Sequence, residues 1–112
     1  KLFITSGVRA DFVTTAVRTG GPGPSGISLL VVERGAAGFA VSRTLKKMGW
    51  LCSDTATLHF DDCRVPVANV MGTVGGGIRN MMRNLEIERL TLAAMSLGIA
   101  DRVHFLGKVN PP

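Results

Sequence analysis

Short apolar runs of strand length occupy the first two thirds of the chain. Phe12–Arg18 (FVTTAVR) is rich in β-branched residues, and Ile27–Val32 is a nearly continuous apolar run. β-branched residues favour strands, and an apolar run of this length is typical of a strand covered on both faces. The predicted strands are Leu2–Thr5, Phe12–Arg18, Ile27–Val32, Phe39–Leu45, Thr55–Phe60 and Cys63–Val65.

Glycine and proline separate these runs. Gly20–Gly26 (GGPGPSG) is a predicted loop, because no regular element accommodates so many glycines and prolines. Pro66 cannot donate to a β-ladder, so the last predicted strand ends before it. Strands that recur at intervals of roughly 8–12 residues indicate an antiparallel barrel or sandwich.

The pattern changes to a helical period after Gly75–Gly77. From Ile78 to about Val103 the apolar residues follow helical spacing, and Leu90–Ala100 is almost entirely apolar. We expect that half of the helix to be buried on most sides. The sequence therefore predicts a mainly β fold, an antiparallel β-barrel followed by one long α-helix.

A charged pair interrupts the apolar stripe of this helix. Steps of three and four residues from Leu85 reach Glu88 and Arg89 before Leu92. One interpretation is structural, with Arg89 extending to the surface and Glu88 paired to a cation. The other is a ligand cavity, where a poorly solvated carboxylate suits a general base and an arginine holds an anionic ligand.

The charge balance favours an anionic partner. The chain has 13 Lys and Arg against 8 Asp and Glu, a formal charge of +5. Nucleic acid is disfavoured because the basic residues form no run and tyrosine is missing. A phosphate-bearing cofactor explains the sign, and so does a basic solvated surface.

The cysteines and apolar runs narrow the class further. Cys52 and Cys63 show no metal-ligand spacing, and we expect small buried thiols rather than a disulfide. We predict no membrane span, because the longest mostly apolar stretch, Leu90–Ala100, is too short. The chain starts within a predicted strand, and its last residues cap nothing obvious, so we expect a fragment.

Eight ordered segments resemble the acyl-CoA dehydrogenase family. Each is weakly specific alone, but their order and spacing from Lys1 to about Arg102 are specific, and Ala37 stands where the family has proline. The segments are Lys1–Gly7 (KLFITSG), Arg9–Asp11, Gly26–Glu33, Gly38–Phe39, Lys47–Thr55 (KMGWLCSDT), Phe60–Pro66 (FDDCRVP), Asn69–Gly72 and Leu85–Arg89 (LEIER).

The resemblance implies a fold and an activity. Residues 1–74 would be the middle β-barrel domain without its N-terminal part, and residues 75–112 the truncated first helix of the C-terminal four-helix domain. Family members hold FAD and dehydrogenate the α and β carbons of an acyl-CoA. They pass electrons to an electron-transfer flavoprotein. A homotetramer or homodimer, in the bacterial cytoplasm or the mitochondrial matrix, is the implied state of the complete protein.

The resemblance also implies site residues. Phe3, Ile4 and Thr5 match the segment that packs on the flavin, with the Thr5 hydroxyl near N5. Glu86 and Arg89 match the substrate-contacting stretch. Glu88 matches the catalytic base of a minority of members, including isovaleryl- and long-chain acyl-CoA dehydrogenases; the others take their base from a late C-terminal glutamate. Glu88 is therefore a candidate base and substrate contact.

Departures from the family pattern leave alternatives open. The family's glycine-serine loop would precede Lys1, and the tail after Arg102 has no family match. We therefore expect this chain alone to be inactive. The alternatives are a non-catalytic remnant or small β-barrel binding module without flavin, and a fragment of an acyl-CoA oxidase-like flavoprotein. Nothing in the sequence predicts a metal site.

Overall fold

The structure is a computed structural model, and it describes residues 1–101. Within them lie five strands and one α-helix. Their bounds are β1 Ile4–Thr5, β2 Phe12–Arg18, β3 Ile27–Glu33, β4 Phe39–Thr44, β5 Thr55–Phe60 and α1 Gly77–Ala100. The predicted fold class, mainly antiparallel strands followed by one long helix, is confirmed. The predicted helix end near Val103 and the tail beyond it lie outside the described residues.

The strands form two antiparallel sheets. The first has the order β1-β5-β4, and the second pairs β2 with β3 along their whole length. Lys1 joins the sheets, because its main chain pairs with Leu58 and its Nζ donates to the Ala16 carbonyl at 2.8 Å. Hydrogen bonding is thus divided between two sheets rather than forming one closed ladder in the described part of the chain.

The core draws on both sheets. Its buried apolar side chains are Leu29, Val32, Ala56 and Leu58. On β5 the buried positions alternate with less buried ones, as expected for a strand with one covered face. On β3 the adjacent residues Ser28 and Leu29 are both buried, so the prediction that this strand is covered on both faces is confirmed there.

A strap of residues 69–75 covers the free edge of β3. The Asn69 side chain donates to the Val31 carbonyl at 2.9 Å, and the Met71 amide donates to the Leu29 carbonyl at 2.9 Å. The Gly75 amide donates to the buried Ser28 hydroxyl at 2.8 Å. An exposed edge offers unpaired backbone groups, so the strap protects this edge from pairing with another chain.

Two local predictions are wrong. Cys63–Val65 pairs with no strand in residues 1–101, because a three-residue run before Pro66 finds no ladder partner. The cysteines form no disulfide, yet Cys52 is exposed and Cys63 only half-buried, so neither is the predicted buried thiol. Cys52 lies in a turn and Cys63 in an irregular segment, and neither position belongs to a covered face.

The chain divides into two compact units, Lys1–Ile78 and a second unit that begins at Arg79. In the second unit, every residue of the apolar half Leu90–Ala100 is exposed. The prediction that this half is buried is therefore wrong for this structure, because an apolar helix needs packing partners and residues 1–101 contain no second α-helix. No described helix is long and apolar enough to cross a membrane.

Candidate functional site

The first group of predicted site residues is Phe3, Ile4 and Thr5. They form the β1 segment, which is the strand β1 and the residue before it. The Phe3 side chain is 73% exposed, Thr5 is exposed and Ile4 is half-buried. β1 pairs with β5 through Ile4–Ala56 and Thr5–Thr55. The segment therefore has one residue towards the interior and presents an aromatic ring and a hydroxyl at the surface.

Left-handed backbone conformations bracket this short strand. Phe3 has φ 57° and Ser6 has φ 58°, values that non-glycine residues rarely adopt. Such conformations persist where surrounding contacts enforce them, and they are frequent at ligand sites. The two bends limit β1 to two residues.

The turn after β1 rests directly on the core. The Gly7 amide donates to the Ile4 carbonyl at 3.3 Å, and the Ala10 amide donates to the Ser6 carbonyl at 2.8 Å. A Cβ added at Gly7 would lie 3.1 Å from the Ala56 Cβ. Glycine at this position therefore permits the turn to approach β5 closely.

Asp54 fixes the same turn from the other side. One carboxylate oxygen accepts the Val8 amide at 2.8 Å, and the other accepts the Arg9 Nε at 3.0 Å. The Arg34 guanidinium donates to the Val8 carbonyl. Sequence reasoning missed these residues as a group. The sequence gives one hint of this contact, because Arg9 and Asp54 lie in two of the family-like segments, Arg9–Asp11 and Lys47–Thr55.

An open depression borders this turn. It has a volume of about 570 Å³, and three cationic side chains line it, Arg9, Lys46 and Lys47. Leu51 and the exposed Cys52 add apolar surface. Asp54 also lines the depression and pairs with Arg9, so the net positive charge of the lining comes from Lys46 and Lys47.

The second group of predicted residues lies on α1. Glu86, Glu88 and Arg89 are all exposed. Glu88 and Arg89 therefore do not occupy the buried stripe that the spacing predicted. The Asn84 side-chain amide donates to Glu88 Oε1 at 2.9 Å. Among the described residues, no ion pair joins Glu88 to Arg89. The Asn84 partner could have been predicted, because residues four apart on a helix are neighbours.

The described residues contain no group of three or more His, Cys, Asp or Glu side chains placed to hold a metal ion. Two groups of predicted site residues offer functional groups to a ligand, one in the β1 segment and one on α1. The first offers a ring, a hydroxyl and backbone. The second offers two carboxylates and a guanidinium within one turn of helix.

Comparisons with known proteins agree on one family. A family model described as the acyl-CoA dehydrogenase middle domain matches residues 1–63. Mitochondrial isobutyryl-CoA dehydrogenase of Bos taurus is 45% identical over 100 residues, which are 89% of this chain and 24% of that protein. The chain thus spans about a quarter of the length of this curated relative.

Solved structures give the same result for the fold. A probable acyl-CoA dehydrogenase from Mycobacterium abscessus is 49% identical to this chain, with a TM-score of 0.81. The match covers 96% of this chain and 32% of the Mycobacterium abscessus chain. Butyryl-CoA dehydrogenase from Megasphaera elsdenii is 33% identical with a TM-score of 0.82, covering 96% and 31%.

Proposed function

The chain belongs to the acyl-CoA dehydrogenase family, and on that basis we propose that it is part of an FAD-dependent enzyme that dehydrogenates an acyl-CoA thioester. The observation that carries the proposal is the match over residues 1–63 together with the exposed ring and hydroxyl that β1 presents. Family membership confirms the resemblance read from the motifs.

We propose the same domain boundaries as the motifs imply. Residues 1–74 belong to the middle β domain, and residues 75–112 belong to the C-terminal helical domain, of which α1 is the first helix. The division of the chain after Ile78 supports this proposal, because it falls within the first turn of α1.

The β1 segment fits an isoalloxazine ring. Flavin binding needs a flat apolar surface and a hydrogen-bond donor near the reacting nitrogen. Phe3 supplies the exposed ring, and the Thr5 hydroxyl makes no hydrogen bond within the described part of the protein, so it is available to a ligand. We therefore assign Phe3, Ile4 and Thr5 to the flavin contact.

The helix residues supply the remaining roles. FAD held at Phe3, Ile4 and Thr5 would supply the acceptor for the hydride from the substrate β-carbon. A carboxylate oxygen of Glu88 takes the proton from the α-carbon, and Arg89 and Glu86 contact the acyl-CoA. Asn84 donates to Glu88 Oε1, which leaves the other carboxylate oxygen to receive that proton. A donor bonded in this way also fixes the carboxylate rotamer.

The proposed partners follow from this chemistry. Acyl-CoA is the substrate, and an electron-transfer flavoprotein is the acceptor. We propose a homotetramer or homodimer as the assembly, with no nucleic-acid partner. The bacterial cytoplasm or the mitochondrial matrix is the proposed location, and the matched Bos taurus relative is named as mitochondrial.

The experiment is turnover by the full-length protein that carries this chain, assayed with short and branched acyl-CoA substrates and an electron acceptor. The wild type should contain FAD and turn over. Glu88→Gln should retain FAD and lose at least about 10²-fold in kcat, the lower end for removal of a general base. Glu86→Gln is the matched control, with a smaller loss expected in kcat.

Two results would correct the proposal. If Glu88→Gln turns over like the wild type, Glu88 is not the base, and another carboxylate in the full-length protein takes the proton. If the wild type holds no flavin and dehydrogenates no acyl-CoA, the proposed activity itself is wrong.

A further inference from the structure

Asp54 holds the turn that follows β1 through both its side chain and its main chain. Asp54 accepts the Val8 amide at 2.8 Å and the Arg9 Nε at 3.0 Å through its two side-chain oxygens. Its main-chain carbonyl accepts the Ser6 amide at 2.9 Å. Three residues of the turn, Ser6, Val8 and Arg9, are therefore bonded to a single residue 45 or more positions away in sequence.

The burial of this carboxylate makes the contacts consequential. The Asp54 side chain is 17% exposed, whereas the Arg9 side chain is 63% exposed. A largely buried carboxylate needs hydrogen-bond donors, and the Val8 amide and the guanidinium provide them. The exposed half of the ion pair contributes less, because solvent screens it. The hydrogen bond from the Val8 main-chain amide to the Asp54 carboxylate is therefore the stronger restraint on the turn.

The restrained turn is continuous with the proposed flavin contact. Ser6, whose amide Asp54 accepts, has φ 58° and directly follows Thr5. Thr5 itself pairs with Thr55, the residue after Asp54. A left-handed non-glycine residue relaxes when its enforcing contacts are lost. Loss of the Asp54 side-chain contacts would keep the bond from the Ser6 amide to the Asp54 carbonyl but release Val8, two residues after Ser6. The turn would then relax and change the direction of the Thr5 hydroxyl without removing any group assigned to the flavin contact.

We propose that Asp54 is a positioning residue, whose side-chain bonds to Val8 and Arg9 hold the turn in which Ser6 is left-handed and thereby set the orientation of the Thr5 hydroxyl towards the flavin. The inference rests on the proposed function, since it takes the β1 segment as the flavin contact. It assigns Asp54 an indirect role through the backbone, with Arg9 as its exposed partner.

The test measures FAD affinity and the visible spectrum of bound flavin in the full-length protein that carries this chain. Asp54→Ala removes both side-chain acceptors and should raise the FAD dissociation constant by about tenfold, because a misdirected Thr5 hydroxyl loses its hydrogen bond to the flavin and one such bond corresponds to roughly tenfold in affinity. It should also shift the flavin absorption bands. Asp54→Asn keeps an oxygen for the Val8 amide and should stay within about threefold of wild type, because the exposed ion pair contributes little.

Two controls separate positioning from general destabilisation. Asp61→Ala removes an exposed carboxylate of the same unit and should leave the dissociation constant and the spectrum unchanged. Ser28→Ala removes a buried hydroxyl that binds Gly75 and Thr19, so it should lower the unfolding midpoint of this unit without moving the flavin bands.

The outcomes are distinct. A flavin-loaded wild type with the expected order of variants supports the positioning role. The role is overturned if Asp54→Ala binds FAD within about threefold of wild type with an unchanged spectrum. It is also overturned if Ser28→Ala shifts affinity and spectrum as Asp54→Ala does. A wild type without flavin overturns the proposed function and this inference together.

Discussion

The unit Lys1–Ile78 and the helix α1 differ in how far their side chains are buried. In the first unit Leu58 and Ala56 are buried, and the buried Ser28 hydroxyl has partners. No buried side-chain nitrogen or oxygen in the described residues lacks a hydrogen-bond partner. On α1, large apolar side chains such as Leu90 and Leu97 are exposed. Most helical stability in proteins comes from packing, so we expect equivalent substitutions to have unequal costs in the two regions.

The largest expected effect compares two leucines. Leu58 is 3% exposed and Leu97 is 73% exposed. Leu58→Ala should reduce the free energy of unfolding by about 2–5 kcal/mol, because it leaves a cavity in the core. Leu97→Ala should change it by less than about 0.5 kcal/mol, because it touches little. Urea unfolding of this chain followed by circular dichroism measures both.

The same pair sharpens the comparison in the full-length protein. If further helices cover α1 there, Leu97→Ala should cost about 2–5 kcal/mol, like Leu58→Ala here. An equal cost for both leucines in the present chain would contradict the difference between the two regions.

Two glycines should act in opposite directions. Gly38 has φ 81°, and a Cβ there would lie 1.9 Å from the Asp61 carbonyl oxygen. Gly38→Ala should destabilise by about 2–4 kcal/mol, since left-handed strain and overlap add. Gly98, in α1, has nothing within 4 Å of an added Cβ. Gly98→Ala should stabilise by about 0.5–1 kcal/mol through helix propensity.

Thermal unfolding of both alanine variants checks this prediction. Gly35→Ala is the matched control, because Gly35 has φ 88° but open space around an added Cβ. It should be destabilised less than Gly38→Ala. Similar losses for Gly35 and Gly38 would show that the approach to Asp61 is unimportant.

The smallest expected effect compares two serines. Ser28→Ala leaves the Gly75 amide without its acceptor and should cost about 1–3 kcal/mol of unfolding free energy. The Ser96 hydroxyl donates to the Leu92 carbonyl on the exposed helix, so Ser96→Ala should stay within about 0.5 kcal/mol. Denaturant midpoints measured side by side test this, and a greater loss for Ser96→Ala would reverse the comparison.

The sequence pattern correctly predicted the elements that need only local interactions and the strands that pair with a neighbour over most of their length. Phe12–Arg18 and Thr55–Phe60 have the predicted bounds, because β-branched content marks them and full ladders hold them. Cys63–Val65 has a single β-branched residue and no partner strand within residues 1–101, and composition alone does not reveal a missing partner. The burial of Leu90–Ala100 was predicted from the same kind of pattern, yet burial depends on elements outside the helix itself.

The candidate site likewise has residues that the sequence identified and contacts that it did not. The motifs point to Phe3, Ile4 and Thr5, which are adjacent in sequence, and their role as a flavin contact stays a prediction. The Asp54 contacts with Val8 and Arg9 were not predicted, because they join positions far apart in sequence. Hydrophobic periodicity describes one element at a time, so a polar contact between two turns leaves no trace in it.

The central claim is that this chain belongs to an enzyme whose bound flavin is reduced by an acyl-CoA. The most direct measurement is an anaerobic titration of the purified full-length protein with isobutyryl-CoA and butyryl-CoA, followed by its visible absorbance. We predict a yellow protein whose flavin absorbance bleaches on addition of at least one of these substrates. A protein without flavin, or a flavin that no acyl-CoA reduces, would contradict the account.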